Sequence, residues 1–161
     1  MSAALIGLGS NAGDEKAILD GAVSQFCNGT SVRLVSRSAN YLTKPWGVED
    51  QPMFINLCLR VETDLSPLDL LRRALEVEAA FGRDRAKERR WGQRTLDIDV
   101  LAYDDLVVDL PELQLPHPRM KERAFVLIPL LDVAADWRID GETVREFAAR
   151  LDASGVQRLP A

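Results

Sequence analysis

The stretch Arg90-Trp91-Gly92-Gln93-Arg94-Thr95-Leu96-Asp97-Ile98-Asp99-Val100-Leu101-Ala102-Tyr103 decides how this chain is read. From Thr95 to Tyr103, apolar and polar residues alternate with the two-residue period of a β-strand, in which successive side chains point to opposite faces. Leu96, Ile98 and Val100 then share a core face, and Asp97 and Asp99 share the other. At the usual strand rise the two aspartates have Cα atoms roughly 6.5–7 Å apart. Carboxylates that close repel each other and need a counter-charge, either a divalent cation or a group of arginines.

The arginines stand immediately upstream. Between Arg83 and Arg94 the basic residues Arg83, Arg85, Lys87, Arg89, Arg90 and Arg94 outnumber Asp84 and Glu88, on a chain whose net charge is −5. Arginine matches phosphate oxygens through its planar fork. Mg²⁺ takes oxygen ligands, commonly one or two carboxylates plus substrate phosphates. Each feature alone has a plain explanation, a solvated strand face and a solvated loop. Together, with Trp91-Gly92 inside the loop, they point to a polyphosphate site, because a solvated loop has little use for a large apolar ring.

Upstream, Ala3 to Leu8 reads as a strand. Gly7-Leu8-Gly9-Ser10-Asn11-Ala12-Gly13 has neither the spacing of a dinucleotide loop nor the Lys-Ser/Thr of a P-loop, so it reads as a tight turn. Asp14 is placed to cap a helix over Asp14 to Cys27. Val32 to Leu42 reads as one strand. A loop follows through Thr43, Lys44, Pro45 and Trp46 to Pro52. Phe54 to Val61 is a strand with Ile55, Leu57, Leu59 and Val61 on its apolar face and Phe54, Asn56, Cys58 and Arg60 on the other. Asn56 between Phe54 and Cys58 suits a heterocycle pocket, and equally suits an anchor for a neighbouring loop. Ser66-Pro67-Leu68-Asp69 starts a helix. Its expected apolar stripe is Leu71, Ala74, Leu75 and Phe81, and Gly82 ends it. Glu78 either faces the site or is solvated.

Downstream, Asp104-Asp105 reads as a turn, and Leu106–Val108 and Leu113–Leu115 as short strands. The single histidine, His117, lies between two prolines ahead of Arg119, Lys121 and Arg123. Val126 to Ala134 is expected to be helical despite Pro129, and Thr143 to Leu151 forms a last amphipathic helix. With 161 residues, 47% apolar and 28% charged, the chain fits a single domain, 1–161. No apolar run reaches the ~20 residues of a membrane span. No secretory signal is evident, and Cys27 and Cys58 are isolated, which together lead us to expect a cytoplasmic protein. One histidine and two scattered cysteines do not make a zinc site, and the acidic balance argues against nucleic acid as a partner.

Arg90-Trp91-Gly92-Gln93-Arg94-Thr95-Leu96-Asp97-Ile98-Asp99, with Gly9-Ser10-Asn11 and Pro116-His117-Pro118, resembles the 6-hydroxymethyl-7,8-dihydropterin pyrophosphokinase family. The element order β-α-β-β-α-β fits a ferredoxin-like α+β antiparallel sheet, βαββαβ, with helices packed on it and a C-terminal helical extension. The resemblance implies transfer of pyrophosphate from ATP to the hydroxymethyl group of the pterin, by a monomer that uses two Mg²⁺ ions. It implies Asp97 and Asp99 as metal ligands, and Arg83 and Arg94 beside them as catalytic residues. ATP would be bound by Arg83, Arg90, Trp91, Arg94, Ile98, His117 and Arg123. Thr43, Lys44, Trp46, Phe54, Asn56, Trp91 and Phe125 would hold the pterin. Gln93, Lys44 and one extra residue between Asp84 and Arg90 depart from the usual pattern.

Two rival readings are a two-metal phosphodiesterase or nuclease, and a pterin- or nucleotide-binding module without catalysis. The first needs further carboxylate or histidine ligands. The second has no need of both the aspartate pair and the arginine segment.

Overall fold

The computed structural model describes residues 1–43, 53–82 and 96–160. Strand β1 (Ser2–Ser10) is central, antiparallel to β4 (Phe54–Thr63) on one side and to β5 (Asp97–Tyr103) on the other. Two further strands, β2 (Val32–Arg37) and β3 (Tyr41–Thr43), both pair with β4, and β10 (Val156–Arg158) lies outside β3. The main sheet runs β10-β3-β4-β1-β5, with β2 beside β4.

Helices α1 (Glu15–Phe26) and α2 (Pro67–Ala80) cover one face of this sheet. Leu19, Ala22, Phe26, Leu70, Ala74 and Val77 meet Ile6, Leu8, Leu57, Leu59, Ile98 and Val100 there. Helices α3 (Ala124–Ala134) and α4 (Val144–Ala148) form the second layer, where Val126, Leu127 and Leu130 pack over Leu5, Cys58 and Leu101. The minor strands complete the chain as two ribbons, β6 (Val108–Asp109) with β7 (Gln114–Leu115) and β8 (Arg138–Ile139) with β9 (Glu142–Thr143). The expected α+β sheet with helices and a C-terminal helical layer is therefore observed. Strict alternation along β4 and β5 serves two layers, because each strand is buried from both sides.

Local signals met different fates. Ser66 caps α2, its hydroxyl accepting from the Asp69 amide at 3.2 Å with Pro67 in the first turn, and Gly82 closes it at φ +83. Asp14 stands at the N-cap of α1 but makes no capping bond. The Glu15 carboxylate instead accepts from the Gly13 amide at 3.2 Å. The expected stripe on α2 is displaced: Leu75 is 41% exposed, and Leu70 and Val77 join Ala74 in the core. The single strand expected over Val32–Leu42 is broken. Ser38 both donates its amide to the Cys58 carbonyl and accepts the Cys58 amide on its hydroxyl, each at 2.9 Å. The side chain thus replaces a backbone partner, and the chain jogs before β3. Thr143 and Glu146 form a reciprocal capping box at α4.

Candidate active site

The candidate residues meet across β1. Its register sets Gly9 opposite Asn56 on one side and opposite Asp97 on the other. Two residues away, Gly7 stands between Cys58 and Asp99 in the same manner. Residues separated by two share a strand face, so Asn56, Gly9, Asp97, Cys58, Gly7 and Asp99 line one strip of the sheet. The strip faces the α3 layer, where Cys58 is buried. Two glycines in the middle of a strand mark a close approach of another group. They make a floor with no side chains between an amide wall on β4 and a carboxylate wall on β5.

That floor corrects the sequence reading, which placed Gly7 and Gly9 in a turn. β1 continues through Ser10, and neither glycine has a positive φ. Their function is spatial. A Cβ on Gly9 would stand 2.5 Å from Asn56 Oδ1, whereas one on Gly7 would only touch Leu101 Cδ1 at 3.4 Å. The readable signal was the two-residue spacing of the glycines inside an otherwise apolar run.

The amide wall is held by β3. Asn56 Nδ2 donates to Thr43 Oγ1 at 2.8 Å, which fixes the plane of the amide. Thr43 pairs with Phe54 in the β3–β4 ladder, so the half-buried Phe54 ring stands beside this bond. Behind Thr43, Asp132 of α3 accepts from the Tyr41 hydroxyl at 2.8 Å and from the Ala39 amide at 3.0 Å. Burial and then the Asp132 carboxylate push the Tyr41 hydroxyl up to about 12.

The carboxylate wall is β5. Leu96, Ile98 and Val100 are buried against α1 and α2, which leaves Asp97 and Asp99 half-buried on the other face, as the alternation predicts. The Ile98 side chain lies in the core layer, so only its main chain can serve a ligand among the aspartates. Glu78, in the last turn of α2 and 2% exposed, accepts the Ile98 amide at 2.7 Å. Of the two options left open for Glu78, the solvated one is overturned: the side chain is buried beneath the strand that carries the aspartates.

The segment after β7 brings in the histidine. The His117 amide donates to the Leu101 carbonyl at 2.8 Å, tying this segment to β5. His117 Nδ1 accepts from the Arg119 amide at 3.2 Å, so the neutral ring carries its proton on Nε2. Burial holds the imidazole pKa below its ordinary value, and the positive charges of Arg123 and Arg119 act in the same direction against the opposing Asp97. His117, Arg123 and Asp97 thus share one electrostatic neighbourhood. Arg123 precedes α3, and its guanidinium lies 5.5 Å from the centroid of the Phe125 ring. The same strip includes Cys58, whose thiol pKa is raised by burial and then by Asp132 and Asp99.

Asp97, Asp99, His117, Arg123, Phe125, Phe54, Asn56 and Thr43 are all among the described residues. Lys44, Trp46, Arg83, Arg90, Trp91 and Arg94 lie outside them. Among the described residues, no three His, Cys, Asp or Glu side chains group as a metal cluster. Two carboxylates on one strand face suit a hard cation that takes its remaining ligands from water and phosphate. A separate cavity of about 420 Å³, lined by Arg60, Asp132 and Trp137 at the C-terminal end of α3, includes none of the expected site residues.

Residues 5–135 match the family described as 7,8-dihydro-6-hydroxymethylpterin-pyrophosphokinase (HPPK). A Methylorubrum extorquens protein named 2-amino-4-hydroxy-6-hydroxymethyldihydropteridine pyrophosphokinase is 51% identical over 159 residues, 99% of each chain. A Pseudomonas aeruginosa protein of the same name is 41% identical over 156 residues, 96% of this chain and 95% of its own. Among solved structures, Plasmodium falciparum HPPK-DHPS with pteroate superposes with a TM-score of 0.72 at 15% identity. That match covers 92% of this chain and 42% of the Plasmodium chain, so this chain spans less than half of that protein and the likeness concerns fold alone. The fold, the strip across β1 and these matches lead to one assignment: the chain belongs to the 7,8-dihydro-6-hydroxymethylpterin-pyrophosphokinase family.

Proposed function

We propose that this chain transfers the pyrophosphoryl group of ATP to the hydroxyl of 6-hydroxymethyl-7,8-dihydropterin, releasing AMP, in folate biosynthesis. The observation that carries the reading is the Asn56–Gly9–Asp97 row. It sets an amide fit to read a heterocycle edge one strand pair away from carboxylates fit to organise a polyphosphate. In the reaction the hydroxymethyl oxygen bonds to the β-phosphorus, the bond from that phosphorus to the oxygen bridging it to the α-phosphorus breaks, AMP leaves, and the hydroxyl proton passes to solvent.

Such transfers depend chiefly on positioning and charge stabilisation. Asn56, oriented by Thr43, reads the pterin edge, and Phe54 and Phe125 offer ring faces. The neutral His117 presents Nε2–H to a phosphate oxygen, and Arg123 supplies a positive charge. Asp97 and Asp99 would hold Mg²⁺, with two ions expected. When bound, the cation offsets phosphate charge and makes the attacking hydroxyl more acidic. Arg83, Arg90 and Arg94 complete the phosphate ligands in this reading, Trp91 excludes water, and Lys44 and Trp46 close the pterin end. The catalytic unit is the single domain 1–161, acting as a cytoplasmic monomer without nucleic acid or membrane. No helix among the described residues is long and apolar enough to cross a membrane.

The test is AMP release from ATP and Mg²⁺ with and without the pterin. Release that requires the pterin supports the reading. ADP as product, or nucleotide turnover indifferent to the pterin, refutes it.

A further inference from the structure

A buried carboxylate near the C-terminal end of a helix is doubly unfavourable. Burial penalises the charge, and the negative end of the helix dipole repels it. Glu78 is buried in this position near the end of α2. Its position on the sheet explains why. Among the described residues, β5 stands at the end of the main sheet, paired with β1. The Ile98 amide, between the two aspartates, is taken by Glu78 Oε2 at 2.7 Å. A charge-assisted bond to a backbone amide is stronger and shorter than a neutral one. It lies within one residue of both Asp97 and Asp99.

We propose that Glu78 is a positioning residue, whose carboxylate pins the Ile98 amide and so fixes the β5 backbone that presents Asp97 and Asp99. Glu78 contacts no reacting atom in this scheme. It acts through the main chain, as outer groups orient the ligands of metal sites. The proposal rests on the reading of Asp97 and Asp99 as cation ligands.

Two conservative variants separate the bond from the charge. Glu78→Gln retains an acceptor at the same reach without the charge. Glu78→Asp retains the charge but withdraws the acceptor by one methylene. Mn²⁺ affinity by electron paramagnetic resonance, with ATP analogue present and no pterin, reads the site without turnover. Amide hydrogen exchange at Ile98 reads the bond itself. Glu78→Asp is expected to speed Ile98 exchange and weaken Mn²⁺ binding roughly 10-fold or more, with kcat falling and pterin affinity unchanged. Glu78→Gln is expected to fall between wild type and Glu78→Asp, since a neutral acceptor at the same reach keeps roughly half of such a bond. Wild-type Mn²⁺ binding in Glu78→Asp with fast Ile98 exchange overturns the proposal, as does equal loss in both variants. Asp97→Asn tells the two ideas apart. If it loses Mn²⁺ while Glu78→Asp does not, only the positioning role falls. If it binds Mn²⁺ like wild type, the cation-site reading fails, and the role of Glu78 fails with it.

Discussion

Gly9→Ala is the smallest change that should disable pterin recognition. The backbone of β1 accepts alanine, since Gly9 is extended. The added methyl, however, would sit 2.5 Å from Asn56 Oδ1. Relief to ordinary contact requires roughly 1 Å of movement at the end of the Asn56 side chain, for which an off-rotamer torsion costs about 0.5–1.5 kcal/mol. Rotation away from Gly9 also breaks the 2.8 Å bond to Thr43, worth about 1 kcal/mol net. Against this, alanine restricts the unfolded chain and returns about 0.4–1 kcal/mol. The fold should therefore lose no more than about 2 kcal/mol. Binding should suffer more, because an amide turned out of plane forfeits its bonds to the heterocycle. One or two lost bonds correspond to about 1.5–3 kcal/mol, or a 10- to 150-fold weaker Kd. Equilibrium titration of the variant with the pterin, read by fluorescence, measures this directly. Gly7→Ala is the matched control, since its methyl meets only the Leu101 side chain at 3.4 Å. Wild-type pterin affinity in a folded Gly9→Ala protein would refute the reasoning.

Other expectations follow from single contacts. Asp97→Ala should bring AMP formation to background with an unchanged circular dichroism spectrum; activity near wild type would remove the aspartate from the site. Tyr41→Phe deletes a 2.8 Å bond to the Asp132 carboxylate and should cost about 1.5–3 kcal/mol in urea unfolding. In the intact protein, an ultraviolet titration should show one of the two tyrosines ionising only near pH 12. The His117 pKa is lowered in the fold. Its neutral form therefore stabilises fully above the ordinary value of about 6.5, and this contribution is lost as pH falls through the lowered value. The melting temperature of wild type relative to His117→Gln should accordingly decline on acidification below neutrality; a constant difference would contradict the assignment.

What was legible in the sequence was what repeats. The period of two along β4 and β5 placed Asn56, Asp97 and Asp99 on the correct faces, because a strand between two helical layers has little choice of orientation. The start of α2 was equally plain, since Ser66, Pro67 and Asp69 act locally. Features that depend on a distant partner were not legible. The break between β2 and β3 is made by Ser38 bonding Cys58, twenty residues away. Gly7 and Gly9 look like turn residues until β4 and β5 are set on either side of them. Glu78 is one acid among several near its helix end, and only the position of Ile98 gives it a purpose. The α2 stripe was misplaced because Leu71 and Leu75 lie beside Leu70 and Ala74 in an apolar-rich segment, so small rotations of the helix read alike.

The strand β10 has a consequence for how the protein is made. It lies beyond the family match at residues 5–135, yet it forms the border of the main sheet beside β3. Synthesis runs from the N-terminus, so β1, β4 and β5 can be assembled while the outer margin of β3 still exposes its backbone donors and acceptors. An open margin is a template for pairing with another chain. β10 therefore acts as a hem. A truncated chain that ends after α4 should fail by self-association, even with its two cores complete.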